Sequence, residues 1–166
     1  MIQQLRVNVF GRPRPKGSMR IVETDRFGRR LPRARLIHDN SEKTSQWARN
    51  VAGAALAAVV LAGRDQFPWR GHPLSVALTF RFDRPQTHFG KRGLLPSAPE
   101  HHAVKPDVDK LARAALDALT GIVYDDDARI VELHASKAYC AAAEVPGAFI
   151  DLRVLGAQQL ALEVAS

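Results

Sequence analysis

The sequence has a single cysteine, Cys140, among its 166 residues. One thiol excludes an internal disulfide, so a reducing compartment is the natural setting and a cytoplasmic location is expected. No Cys/His spacing suits structural zinc. No charged segment followed by an apolar one opens the chain, so secretion is not indicated. The longest apolar run, Val51 to Gly63, is Ala-rich and about 13 residues long, short of the roughly 20 that span a bilayer, so no membrane partner is expected. Internal repeats and a Gly-rich nucleotide loop are also missing. Acids are scarce where cations are dense: residues 1 to 38 hold ten Lys or Arg and two acids, a net +8, leaving −1 for the remainder of an overall +7. The positive field therefore comes from the amino-terminal quarter, and it points to a polyanionic partner, nucleic acid before anionic lipid.

With 46% apolar residues, the chain can bury one core of ordinary domain size. Gln4 to Phe10 alternates Leu5, Val7 and Val9 against polar residues, the period of a half-buried strand. Gly11 to Arg20 displays four cations among two prolines and two glycines, and residues 21 to 38 form a hairpin or extended loop around Phe27-Gly28. Asp39-Asn-Ser-Glu supplies caps for a helix over about 42 to 62, with Trp47, Val51, Ala54, Ala55, Ala58 and Leu61 at helical spacing. That helix is either buried or part of an interface, and Trp47 and Trp69 belong to the core. Leu74 to Phe82 is the clearest strand, and Ile130 to Lys137 and Ala148 to Leu155 give two more. Residues 84 to 105 lack any apolar period, and a loop of that length is functional or mobile. The order of elements predicts an α+β fold, a single domain with a mixed, largely antiparallel sheet packed against two main helices.

Two acidic clusters flank a short helical pattern in this basic protein: Asp107/Asp109 before it and Asp125/Asp126/Asp127 after it. Pro106 keeps Lys105 extended, so the helix starts at about Asp107, with Asp107 as N-cap and Asp109 in the first turn. Arg113 and Asp117 follow Asp109 on the same face. Capping and the helix dipole alone explain Asp-x-Asp, a cap being worth about 1 kcal/mol, and the triple Asp alone reads as a solvated turn. Joining the clusters requires the chain to turn back over a helix of roughly 18 Å, with the next strand antiparallel to it. Three carboxylates within about 4 Å would repel one another by several kcal/mol per pair, so such a site needs a cation. All-oxygen ligation suits Mg²⁺, with Mn²⁺ as a substitute.

The ordered set Lys105-Pro-Asp-Val-Asp-Lys-Leu with Arg113, Leu116-Asp-Ala-Leu-Thr-Gly, Tyr124-Asp-Asp-Asp-Ala-Arg-Ile-Val and Lys137 resembles the RusA-type Holliday junction resolvases. A weaker similarity lies in Gly11-Arg-Pro-Arg-Pro-Lys-Gly-Ser-Met-Arg20. The resemblance implies one RusA-like endonuclease domain over residues 1–166, homodimeric and magnesium-dependent, which cuts four-way or otherwise branched DNA in recombination and repair, often from prophages. It implies Asp107, Asp109 and Asp127 as metal-binding, catalytic carboxylates; Asp126, adjacent in the acidic triplet, is a further candidate metal ligand. Arg113 stands where the family usually has a catalytic Lys; it keeps the charge but cannot give up a proton.

Arg12, Arg14, Lys16 and Arg20, with the arginines between 26 and 35, are assigned to phosphate contacts that position DNA without reading its sequence. Lys105, Lys110 and Lys137 are assigned to the same substrate. His101 and His102 lie close before the acidic helix, whereas His134 falls on the exposed face of its strand. Two other readings compete: a DNA-binding protein without catalysis, whose acids only cap a helix, and a metal-dependent enzyme on nucleotide-sugars or small phosphate esters. The short chain and missing nucleotide loop disfavour the last.

Overall fold

The computed structural model describes residues 3–16, 19–24, 27–38, 42–141 and 143–156, with the backbone alone at 19–22 and 31–38. The expected cap of the first helix at Asp39, Asn40 and Ser41 lies outside the described residues, as do Arg26 and the side chains of Arg20, Arg33 and Arg35.

Eight strands and two α-helices follow one another along these residues. β1 (Gln4–Phe10) buries Leu5, Val7 and Val9 and turns Arg6, Asn8 and Phe10 outward, as its alternation predicts. β2 (Met19–Thr24) and β3 (Arg30–His38) pair as a separate antiparallel hairpin around Phe27-Gly28. α1 (Glu42–Ala62) buries Trp47, Val51, Ala55 and Val59, one residue per turn. Leu61, expected on that face, is 89% exposed, because the buried stripe is only one residue wide. β4 (Leu74–Phe82) buries every second residue, and a small hairpin of β5 (Phe89–Gly90) and β6 (Gly93–Leu94) follows. α2 (Val108–Leu119) then precedes β7 (Ile130–Tyr139) and β8 (Gly147–Val154).

The main sheet has the order β1-β8-β4-β7. β8 runs antiparallel to both neighbours, while β4 and β7 are parallel. The fold is thus α+β, a mixed and largely antiparallel sheet with two helices. Its inward residues, among them Val7, Leu78, Phe80, Ile150 and Leu152, form one core with Trp47 and Val51 of α1 and Leu111 and Leu119 of α2. Both tryptophans are buried, as predicted. Glycine is needed at position 147, where a Cβ would lie 2.0 Å from the carbonyl oxygen of Val9 on the paired strand.

The return after α2 has its own braces. Gly121 takes a positive φ of 80° at the helix end, a conformation open to glycine at little cost. The buried Tyr124 donates its hydroxyl hydrogen to the Leu116 carbonyl at 2.9 Å. Trp69 N–H donates to Val123 O at 2.8 Å, and Asp125 N–H to Trp69 O at 3.2 Å. Removing the Tyr124 hydroxyl with Tyr124→Phe is expected to cost about 1 kcal/mol, the net worth of one hydrogen bond, measured by urea unfolding.

Candidate active site

Asp107 takes extended backbone angles (φ −69°, ψ 137°) at the N-cap of α2, as predicted, but its side chain makes no capping hydrogen bond. Its carboxylate instead meets the Lys110 ammonium one turn on, at 3.0 Å. That hydrogen bond and charge, assisted by Lys105 and Lys137, hold the carboxyl below the usual aspartate range. Asp109 follows in the first helical turn. Residues two apart on a helix point to nearly opposite sides, so the two acids leave the helix start on different flanks.

Asp109 enters a cleft of about 500 Å³ between α2 and β7, shared with Arg113, Asp117 and Asp127 and floored by Leu133 and Ala135. The face Asp109, Arg113, Asp117 is the one expected from the i, i+4, i+8 spacing. Asp127 joins the cleft from the single turn Asp127–Arg129 that precedes β7. The three acids of the triplet have separate surroundings. Asp125 pairs with Arg129 at 3.5 Å. The Asp126 side chain accepts a hydrogen bond from the Ala128 N–H at 2.9 Å and caps the single turn Asp127–Arg129. Asp127 is left facing the cleft. Among the described residues, neither Asp109 nor Asp127 has a hydrogen-bond or ion-pair partner for its carboxylate.

Asp107 belongs to a second pocket of about 380 Å³, lined by Arg12, Arg14, Lys105, Lys110 and Phe82. The basic amino-terminal segment reaches it because Lys16 N–H donates to Lys110 O at 3.1 Å and the Lys16 ammonium pairs with Asp117. A cationic pocket and an acidic cleft therefore flank one helix start. Among the described residues, no group of three or more His, Cys, Asp or Glu side chains stands close enough to hold a metal ion. The structure thus brings Asp109 and Asp127 into one cleft and leaves Asp107 beside Lys110.

Lys137 has an arrangement that the sequence did not reveal. Its ammonium donates to the carbonyls of Val104 and Pro106, at 2.6 and 2.8 Å, and so ties the end of β7 to the turn before Asp107. His101 is exposed, while His102 is buried, stacked on Phe82 at 4.2 Å and against Tyr139 at 4.9 Å. Burial pushes the His102 imidazolium pKa down. His134 is exposed, as predicted. Arg29 and Arg30 are exposed on the β2–β3 hairpin.

The donor set in the cleft suits a hard divalent cation. It consists of carboxylate oxygens alone, three acids against one guanidinium, of which Asp109 and Asp127 are exposed and have no partner among the described residues. Mg²⁺ needs only one or two carboxylates, because it keeps several waters and completes its shell with substrate phosphates.

An α+β fold with an acidic cleft and a cationic pocket on two flanks of one helix start has the charge arrangement of a phosphate-handling protein. The family model of endodeoxyribonuclease RusA matches residues 12–153, and the chain belongs to that family of Holliday junction endonucleases. A search of curated proteins found no match. No helix among the described residues is long and apolar enough to cross a membrane.

Proposed function

We propose that the chain is a Mg²⁺-dependent resolvase, a homodimer that nicks two opposed strands of a four-way DNA junction symmetrically, with Mn²⁺ as a substitute ion. The match over residues 12–153 and the single core support one catalytic domain, which we take to span residues 1–166; the cytoplasm as its location rests on the lone cysteine. The observation that carries this reading is the pair of carboxylates, Asp109 and Asp127, that line one cleft beside Arg113 and have no partner among the described residues.

Asp109 and Asp127 would hold the ion, with Asp107 as the further ligand that the family resemblance implies and Asp126, next to Asp127 in the chain, as an additional candidate. When bound, the metal activates water and stabilises charge on the phosphoryl group. The chain's own residues do the remainder. Arg113 places a fixed, forked cation next to the non-bridging oxygens, a role that needs no proton transfer. Arg12, Arg14, Lys105 and Lys110 hold the strand at the neighbouring pocket, on Asp107's side of the helix. Lys16 is paired with Asp117 and serves to bring the basic segment to α2. Two opposed cuts match a two-fold dimer, since the symmetry of the enzyme then mirrors that of the junction.

A labelled synthetic four-way junction incubated with and without Mg²⁺ tests the proposal. Paired, ligatable nicks only with the metal are expected; binding without cutting under any divalent ion would leave a DNA-binding module instead. Junction affinity should fall with salt at a log-log slope of about −0.9 per neutralised phosphate. Arg12→Ala and Arg14→Ala should each weaken all DNA alike and flatten that slope by about 1 in a salt titration.

A further inference from the structure

The segment from 84 to 106 folds over the ends of β4 and β7. Arg84 lies 4.4 Å from the centre of the Tyr139 ring and donates to Pro99 O at 2.8 Å. His88 meets the same ring edge-on at 5.3 Å, and Leu95 N–H donates to His88 O at 2.9 Å to close the β5–β6 hairpin. The hairpin turn, Lys91-Arg92, is exposed. Phe89 and Leu94, a cross-strand pair, are 45% and 52% exposed. Between this hairpin and the strand ends lies a cavity of about 670 Å³, whose walls include Asp83, Arg84, Gln86, Phe89, Leu94 and Tyr139.

The cavity differs in kind from the cationic pocket at Asp107. It contains two carboxylates, Asp83 and Glu144, while its guanidinium is stacked on a tyrosine, so it is poorly suited to phosphate. Its lining combines the apolar and aromatic side chains of Phe89, Leu94 and Tyr139 with the Gln86 amide and the Asp83 carboxylate. A nucleobase needs that combination: faces to stack on, and donors and acceptors for its edge. Lys91 and Arg92 stand exposed in the hairpin turn, two cations available to phosphates flanking such a base. The position is also right. His102 stacks on Phe82, which lines the Asp107 pocket, and lies tilted against Tyr139, which lines this cavity, so one buried imidazole links the linings of the two sites.

We infer that this cavity receives one unstacked nucleobase of branched DNA, held between the Phe89/Leu94 pair and the Tyr139–Arg84 stack, with Gln86 and Asp83 at its edge. The inference rests on the proposed action at DNA junctions and adds a base-binding subsite to it. Extruding a base is cheapest where pairing is already broken, as at a branch point.

The test measures binding in EDTA, so that no cutting intervenes, with the full chain and its Phe89→Ala variant. The probes are a four-way junction, the same junction with an abasic nucleotide at each exchange-point position in turn, and a plain duplex. The native chain should bind the worst-affected abasic junction about tenfold more weakly than the intact one. Phe89→Ala should reduce that penalty to within about twofold, with unaltered melting and duplex affinity. An equal abasic penalty in both proteins, or an equal loss on junction and duplex, would overturn the inference. A single strand carrying 2-aminopurine separates this outcome from failure of the junction reading. If the native chain quenches its emission and Phe89→Ala does not, the cavity stands even without junction preference; no quenching by the native chain overturns the cavity whatever the junctions show.

Discussion

Asp109→Asn is expected to lower junction cutting by about 10³-fold or more while leaving junction binding in EDTA within about twofold. The substitution conserves shape and keeps one oxygen, but removes the charge that a divalent ion requires. A loss of about 4 kcal/mol in stabilising the reacting phosphoryl group corresponds to that factor. Folding should barely change. Asp109 is exposed and unpartnered among the described residues, so only its favourable interaction with the helix dipole is lost, below about 1 kcal/mol. Asp117→Asn is the internal control: it lines the same cleft but already pairs with Lys16, so its effect should stay near tenfold. Single-turnover cleavage of an end-labelled junction reads both variants. Retained cutting by Asp109→Asn would remove the carboxylate from the mechanism.

Periodicity made the framework of the fold legible. The alternation in Leu74 to Phe82 and Gln4 to Phe10 was strict enough to place two strands at their observed bounds. Burial on α1 was harder to assign, because an Ala-rich segment offers several apolar stripes of similar strength. Only packing against the sheet selects Trp47, Val51, Ala55 and Val59 over the stripe ending at Leu61. The pairing of β7 parallel to β4 also left no local trace, since a strand's own alternation does not name its neighbour.

The acidic site was legible to a similar degree. The helix start at Asp107 followed from Pro106, and the face Asp109, Arg113, Asp117 followed from helical spacing. What spacing could not distribute was the triplet Asp125-Asp126-Asp127, where the outcome depends on three competing partners: the Arg129 guanidinium, the Ala128 N–H and the open cleft. Asp107 likewise turned on a competitor, Lys110, which takes the carboxylate at the flank opposite Asp109. The nucleobase cavity had no sequence signal of its own. Phe89 and Leu94 become a pair only when residues 91 and 92 form a turn, and Arg84 meets Tyr139 only through the fold.

Lys137→Met should separate positioning from direct contact with DNA. The sequence assigned Lys137 to the substrate, yet its ammonium lies on the Val104 and Pro106 carbonyls at 2.6 and 2.8 Å. Methionine retains much of the apolar stem and removes both donors. Hydrogen bonds from a charged donor are worth about 1.5 to 3 kcal/mol each, so the turn that delivers Asp107 loses two ties to β7. Groups that orient metal ligands typically contribute 10- to 100-fold, and a fall of that size in cutting rate is expected. Duplex affinity and its salt slope should remain as in the native chain, because the ammonium is already engaged. A phosphate contact would behave oppositely: the slope would flatten by about 0.9, and binding would weaken in step with cutting. Raising Mg²⁺ gives the second discriminator, since a displaced carboxylate is partly compensated by more metal while a missing phosphate contact is not. Recovery of Lys137→Met cutting at high Mg²⁺, with an unchanged salt slope, would identify the lysine as the brace that sets the start of the acidic helix.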